Sequence, residues 1–160
     1  EADVGLRLRQ PSQPDLIRRR LFTVHYHLYA SPEYIRRHGQ PRTLADLDQH
    51  RILSYGATGA SFLNSLNSLL TAGRDAKNPR VPALSVNNIT ALRRAVDAGV
   101  GIAVLPEYLM TPDSGLIQML PNAEVPEFEC YLVYPEEMKN GARVQVFRDF
   151  LVSNAQRWKY

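Results

Sequence analysis

Cys130 is the only cysteine in the chain, so no intrachain disulfide can form, and the pattern argues against a cysteine-built zinc site. So few cysteines fit a reducing compartment, and a cytoplasmic protein is expected. No apolar run approaches the roughly 20 residues that span a bilayer, which argues against a membrane helix. The N-terminal "EADVGLRLRQ" lacks the basic start and apolar stretch of a signal peptide. Charge of one sign is also lacking. The balance of 19 Lys and Arg against 16 Asp and Glu leaves only +3, too little for a nucleic-acid surface. The densest basic cluster, Arg18-Arg19-Arg20, reads as a solvated strand edge or interface rim. The four histidines, His25, His27, His38 and His50, show no spacing with a cysteine or carboxylate partner that would make a metal site. No nucleophile motif or phosphate loop is present, and no repeat or low-complexity segment. No metal, no cofactor and no enzymatic activity are expected.

What remains is an ordinary globular composition, 44% hydrophobic and 22% charged, in 160 residues. That length suits one domain with a real core or two small lobes. "QPSQPDL", residues 10–16, reads as a loop. The β-branched and aromatic run 21–29 predicts a long strand. "SPEYIRRHG" predicts a short helix with Ser31 as cap, Pro32 in the first turn and Gly39 at its end. Thr43 and Asp46 have the spacing of a capping box opening a second short helix. Residues 52–55 predict a strand that "GATGAS" interrupts. From Ser61, Phe62, Leu63, Leu66, Leu69 and Leu70 recur at helical spacing, and residues 73–82 read as an exposed loop.

The stretch "NNITALRRAVDAGVGIAVLPEYL", residues 87–109, has the most specific local order. Ile89, Leu92 and Val96 share one face of a helix capped by Asn87 or Asn88 and ended by Gly99. The apolar run 102–105 has no polar alternation, which suits a strand covered on both faces in a parallel sheet, and Pro106 is placed to start a following helix. Residues 116–120 and 128–134 predict two further strands. Cys130 alternates with Phe128, Leu132 and Tyr134 and reads as a buried thiol. A last helix begins near Ala142 and places Val144, Phe147, Leu151 and Trp158 on one side. Strands alternating with helices indicate an α/β fold with a largely parallel or mixed sheet. The strands near 21–29 and 128–134 bracket everything between them, as they would on crossing from one lobe to another and back.

Four pieces in this order resemble the effector-binding domain of LysR-type transcriptional regulators. They are "ADVGLR", "LYASPEYIRRHGQPRTLADLDQHRIL", "AVDAGVGIAVLPEYL" and the closing "YLVYP" with "RVQVFRDFLV". The resemblance implies a type 2 periplasmic-binding-protein-like fold: two α/β lobes with mixed sheets and a small-molecule effector between them. By this likeness residues 1–24 are the end of the first half of lobe I with the start of the crossover strand. Residues 25–130 are lobe II, and 131–160 are the return strand and C-terminal helix of lobe I. The first lobe is then expected to be incomplete in this chain.

Such folds capture ligands with backbone N–H groups at helix starts, which favour organic anions. The resemblance puts two such starts at the ligand: the loop with Tyr55, Gly56, Thr58 and Ser61, and the helix start at Asn87 and Asn88. Arg7, after the first strand, is a further candidate for an anionic group. The implied function is effector sensing by a bacterial transcription factor that works as a homodimer or tetramer. DNA would be contacted only through a winged helix-turn-helix outside this chain, and no membrane partner is expected. The competing reading is a solute-binding protein of the same fold serving transport.

Overall fold

The computed structural model describes residues 3–56 and 61–157. The chain divides into two compact units, one formed by Glu1–His25 with Glu127–Tyr160 and the other by Tyr26–Pro126.

The first unit is a three-stranded antiparallel sheet under one helix. Strand β2 (Leu16–Ala30) begins where the sequence suggests a loop to end, five residues before the predicted start. Its first part pairs with β7 (Glu127–Pro135), from Leu16 opposite Pro135 to His25 opposite Glu127, with a bulge between Arg20 and Phe22. Strand β1 (Gly5–Arg7) lies on the other side of β7. Arg18, Arg19 and Arg20 are exposed along β2, as a solvated edge requires, and Arg20 reaches Glu129 at 2.6 Å. Helix α3 (Ala142–Ala155) packs Val144 and Leu151 onto Leu132 and Tyr134. Phe147 does not join them: it is 45% exposed, because the helix turns it beyond the edge of the contact. Trp158, expected on the same side, lies outside the described residues. Cys130 is buried, and burial pushes its thiol upward.

The second unit is built around β5 (Ala103–Pro106), buried along its whole length. The expected parallel setting is half right. One neighbour of β5 is the end of β2, antiparallel, with Tyr26 opposite Pro106 and Tyr29 opposite Ala103. The other side meets the chain in parallel, through the bridge of Ile52 to Ile102. Beyond it, β3 (Leu53–Tyr55) and β4 (Leu84–Val86) run parallel to each other. Strand β6 (Ile117–Met119) pairs with the last residues of β2. The sheets are therefore mixed, and an apolar run without alternation records two-faced burial rather than strand direction.

Helix α2 (Ile89–Asp97) leads into β5 through two glycines with different duties. Gly99 takes φ +72, open to glycine and strained for other residues. At Gly101 a Cβ would stand 2.2 Å from the carbonyl oxygen of Arg51, so only glycine lets the backbones approach. Leu92 and Val96 are fully buried and Ile89 packs beside them, against Tyr29, Leu53, Ala103 and Leu105. Pro106 ends β5 and introduces a single 3-10 turn, Glu107–Leu109, rather than the expected helix. Helix α1 (Pro32–His38) has its predicted caps, with Ser31 accepting from the Tyr34 N–H and Gly39 at φ 78. The Thr43–Asp46 pair is also reciprocal: the Asp46 N–H donates to Thr43 at 3.3 Å, and the Asp46 carboxylate accepts from the Thr43 N–H at 2.9 Å. It opens a 3-10 segment, Ala45–Gln49.

The helix expected from Ser61 is a 3-10 segment, Ser61–Leu70, broken by non-helical backbone at Asn67. The break has a use: the Asn67 amide brackets Tyr55, accepting from its N–H at 2.9 Å and donating to its carbonyl at 2.8 Å. The loop 73–82 is mostly exposed, but Arg80 within it is buried, 6% exposed. Its guanidinium donates to the carbonyls of Leu69 (2.8 Å), Ala72 (2.7 Å) and Leu44 (3.0 Å), and to Asp48 (2.7 Å). One side chain thus meets carbonyls at the end of the Ser61–Leu70 segment and at the start of the Ala45–Gln49 segment.

Two predictions follow from this interior. Arg80→Ala removes the shared donor of Leu69, Ala72, Leu44 and Asp48, with the Leu47 N–H still reaching Leu44 at 3.3 Å and Arg74 still 3.8 Å from Asp48, and is expected to cost about 1–3 kcal/mol in urea unfolding. Arg80→Lys keeps the charge but not the planar fork, and should recover only part of that loss.

The second concerns His50. The Arg51 N–H donates to the buried Tyr34 hydroxyl at 2.9 Å, and the same hydroxyl shares a hydrogen bond with Nδ1 of His50 at 3.0 Å. Burial holds His50 below its ordinary value; nearby His38 acts the same way and Asp46 opposes. The unfolded chain therefore takes the proton first as pH falls below about 6.5, the ordinary histidine value. Stability should decline from there down to the depressed folded value, below which it flattens. His50→Gln should flatten that segment of the curve in urea unfolding measured between about pH 7.5 and 5.

Candidate functional site

Strands β3 and β4 are parallel, and the Ile52–Ile102 bridge sets β5 parallel to them. Their carboxyl ends therefore emerge along one edge of the second unit: Tyr55-Gly56, Val86-Asn87 and Pro106-Glu107. In open α/β sheets the space outside the carboxyl ends is where the chain turns away and exposes backbone amides to a ligand.

Gly56 and Asn87 are brought together there. The Gly56 N–H donates to the Val86 carbonyl at 2.7 Å. A Cβ at Gly56 would stand 3.3 Å from the backbone of both Val86 and Asn87, so the small residue permits the close approach. Asn88 caps α2: its backbone is extended at φ −135, and its Oδ1 accepts from the Ala91 N–H at 3.0 Å. The cap occupies Oδ1 and leaves the Nδ2 donors of Asn88, and the whole amide of exposed Asn87, with no partner among the described residues. The N-terminus of a nine-residue helix thus opens at the strand ends, carrying a partial positive charge and unpaired N–H groups.

Tyr55, Gly56, Asn87 and Asn88 share this edge. Thr58 lies outside the described residues, and of Ser61 only the backbone is described, opening its 3-10 segment. Arg7 belongs to the other unit, exposed at the end of β1, where it lines a recess of about 740 Å³ with Asp3, Asp15, Glu136 and Glu137.

Two tyrosines at the same edge were not singled out from sequence. Tyr26 pairs with Pro106 at the end of β5, and Tyr108 lies two residues beyond. Burial holds the Tyr26 hydroxyl well above the ordinary phenol value, and the nearby Tyr108 and Tyr55 hydroxyls push it the same way. Tyr108 is raised too, by burial and then by Tyr55. All three converge, and the shifts keep Tyr26 and Tyr108 protonated as neutral donors. Tyr108 is 44% exposed and Tyr26 only 4%, so the group grades from core to surface. The alternation along β2 could have flagged Tyr26 as inward, but its meeting with Tyr55 and Tyr108 depends on strands far apart in sequence.

The histidines make separate contacts, His27 with Glu107 of the same edge. His25 faces Glu127 at 3.4 Å; His27 meets Glu107 at 3.8 Å and Gln118 at 3.1 Å. Among the described residues no three His, Cys, Asp or Glu side chains gather as a metal site, and no helix is long and apolar enough to cross a membrane.

This geometry has counterparts. The chain is 29% identical over 157 residues to an HTH-type transcriptional regulator of Xanthomonas campestris pv. campestris (strain 8004), covering 96% of this chain and 46% of that protein. It is 30% identical over 156 residues to the HTH-type transcriptional regulator CrgA of Neisseria meningitidis serogroup C (strain 8013), covering 95% of this chain and 51% of CrgA. The chain thus spans about half the length of these curated relatives. The solved regulatory domain of CrgA superposes with a TM-score of 0.79 at 29% identity, over 96% of this chain and 75% of that one. Full-length AphB of Vibrio cholerae shares the fold with a TM-score of 0.73 at 23% identity, over 94% of this chain and 51% of AphB. The fold is that of LysR regulatory domains, type 2 periplasmic-binding-protein-like with mixed sheets. Matched by the family model for the LysR substrate binding domain over residues 1–156, the chain belongs to that family.

Proposed function

We propose that this chain is the effector-sensing part of a LysR-type transcriptional regulator, and that it binds a small organic anion at the carboxyl ends of β3, β4 and β5. The observation that carries the site is the open N-terminus of α2, with the amides of Asn87 and Asn88 beside the close approach of Gly56 to Asn87. A carboxylate there gains the helix-end field, about 0.3–1 kcal/mol at an exposed site, and hydrogen bonds worth about 0.5–1.5 kcal/mol each. On this reading the loop residues Thr58 and Ser61 add hydroxyl contacts and Tyr55 walls one side. Family membership and the relatives' shared description as HTH-type regulators support sensing over transport.

Effector binding, on this reading, biases the packing between protomers of a dimer or tetramer in the cytoplasm. That packing sets the spacing of winged helix-turn-helix domains that lie outside these 160 residues and make the DNA contacts.

The test uses the full-length regulator on its promoter. Asn88→Ser keeps a capping oxygen but removes the amide donors, so its melting temperature should stay near that of the parent while the effector dose-response moves to higher concentration. Asn88→Ala should also lose about 1 kcal/mol of stability with the cap. Thr58→Val should blunt the response and leave effector-free promoter binding intact. An unchanged dose-response in folded Asn88→Ser and Thr58→Val proteins places the site elsewhere.

A further inference from the structure

Within the second unit, the loop after α1 and the turn after β6 line one recess of about 430 Å³. Ligand recesses run from roughly 300 to 1,000 Å³, so the space suits a small molecule. Strand β2 separates it from the strand-end site: Leu28 pairs with Val104 of β5 on one side and with Met119 of β6 on the other. No residue of the strand-end edge lines the recess.

Both walls are fixed by their own chain. One wall is 40–44. The Asp46 carboxylate accepts from the N–H groups of Arg42 at 2.8 Å and Thr43 at 2.9 Å, and the Leu44 carbonyl accepts from Arg80 at 3.0 Å. The other wall, 120–123, is closed into a turn by the Ala123 N–H, which donates to the Leu120 carbonyl at 2.8 Å. Leu120 stands at φ 42, a conformation that glycine takes freely and a bulky side chain does not. What leucine adds there, and glycine could not, is an apolar side chain on the recess. A ligand therefore meets walls already ordered and need not supply that ordering.

The polar groups on these walls are uncommitted. Arg42 is exposed, and its guanidinium has no hydrogen bond or ion pair among the described residues. The amides of Gln40 and Asn122 are likewise without partners there. The Thr43 hydroxyl accepts from the Asp46 N–H at 3.3 Å, which leaves its proton free to donate. Asp46 does not pair with the Arg42 guanidinium, because the backbone N–H groups of Arg42 and Thr43 occupy its carboxylate. A planar guanidinium beside amide and hydroxyl donors matches a carboxylate, which it holds through parallel bonds. One cation, with the Asp46 charge behind the loop, suits a single negative charge better than the double charge of a phosphate monoester. Leu44 and Leu120 set apolar surface next to those donors.

We propose that this recess is a second ligand site, taking a small monocarboxylate with an apolar body: the carboxylate on Arg42, the carbon skeleton against Leu44 and Leu120. The proposal goes beyond the anion site at the strand ends and does not rest on it.

The experiment is methyl NMR of the full-length regulator, reading the Leu44, Leu120 and Ala123 methyls as hexanoate is added. The neutral 1-hexanol and the cationic hexylamine are its counterparts, and circular dichroism melting confirms that each variant is folded. Hexanoate should shift these methyls saturably, binding about tenfold or more tightly than either counterpart. Arg42→Gln, at an exposed position, should weaken hexanoate by about the same factor. Arg42→Lys keeps the charge without the fork and should recover only part of that loss. Arg94→Gln removes an exposed charge away from the recess and should change nothing. Leu120→Gly should melt near the parent yet bind hexanoate several-fold more weakly, read at Leu44 and Ala123. The proposal is overturned by an absence of saturable shifts at these methyls, or by shifts that survive Arg42→Gln in folded protein. Hexanol binding as tightly as hexanoate overturns it too, leaving only an apolar hollow. Shifts confined to Val86 and Ile89 would place the carboxylate at the strand ends, which supports that site and sinks this one.

Discussion

Strand β5 carries the constraint on which the second unit depends. Its residues are buried on both faces, so each of its peptide groups must find a partner in the sheet, because water is not there to supply one. The end of β2 meets this need on one side. On the other, Ile102 donates to Arg51 and accepts from Leu53, both at 2.8 Å. That second set of bonds requires the backbones to close to a distance that no Cβ at position 101 would permit. From this contact follow the parallel sense of β3 and β5, the place of α2 above them, and the common edge at which their carboxyl ends emerge.

The second unit also shows how short segments are held without regular helices. Two 3-10 stretches pack here in place of longer α-helices, and their carbonyls are left over. Arg80 collects the carbonyls of Leu69, Ala72 and Leu44, in and beside these stretches, with one planar group, and Asp48 balances its charge. Asn67 does the equivalent for Tyr55, satisfying both backbone atoms at the edge where β3 ends. The Tyr34 hydroxyl joins Arg51 to His50 on the far side of the same chain segment. Each is a polar side chain in an otherwise apolar interior, and each secures a backbone turn leading to or from β3. The amides at Gly56 and Asn87 are placed by the pairing of β3 with β4, and Asn67 holds the end of β3 at Tyr55.

The proposed site would recognise charge through neutral donors. The four described candidates at the edge carry no formal charge; on the proposed reading the attraction would come from the end of α2 and from neutral donors, including the tyrosine hydroxyls. Such donors impose direction, because a hydrogen bond must be aligned whereas a lone ammonium attracts from any side. That suits a sensing domain, in which the ligand must select one conformation rather than merely adhere.

Much of this architecture is legible in the residues. The Ser31 and Asn88 caps, the Thr43–Asp46 pair, the buried face of α2 and the two-faced burial of 102–105 all appear where the pattern puts them, because each depends on neighbours within a turn or two. The loop at Gly56 and the helix start at Asn87 and Asn88 were legible as separate features for the same reason. Their adjacency was not, since it arises from the pairing of β3 with β4 across some thirty residues of chain. Strand direction at β5 was only half legible, parallel on the Ile52 side and antiparallel to β2, because side-chain burial reports how many faces are covered, while direction depends on which segment arrives alongside. Arg80 sits in a polar, proline-flanked loop, and nothing local distinguishes it from its exposed neighbours; only the carbonyls it meets draw it inside. The run from Ser61 has helical spacing, yet Asn67 leaves helical geometry because its amide is bonded to Tyr55 on another strand. The sequence by itself thus determined the caps, turns and apolar faces, whose energies are settled within a few residues. The tertiary structure alone decided strand order, the convergence of Tyr26, Tyr55 and Tyr108, and which polar groups enter the core, because those depend on partners that only folding brings within reach.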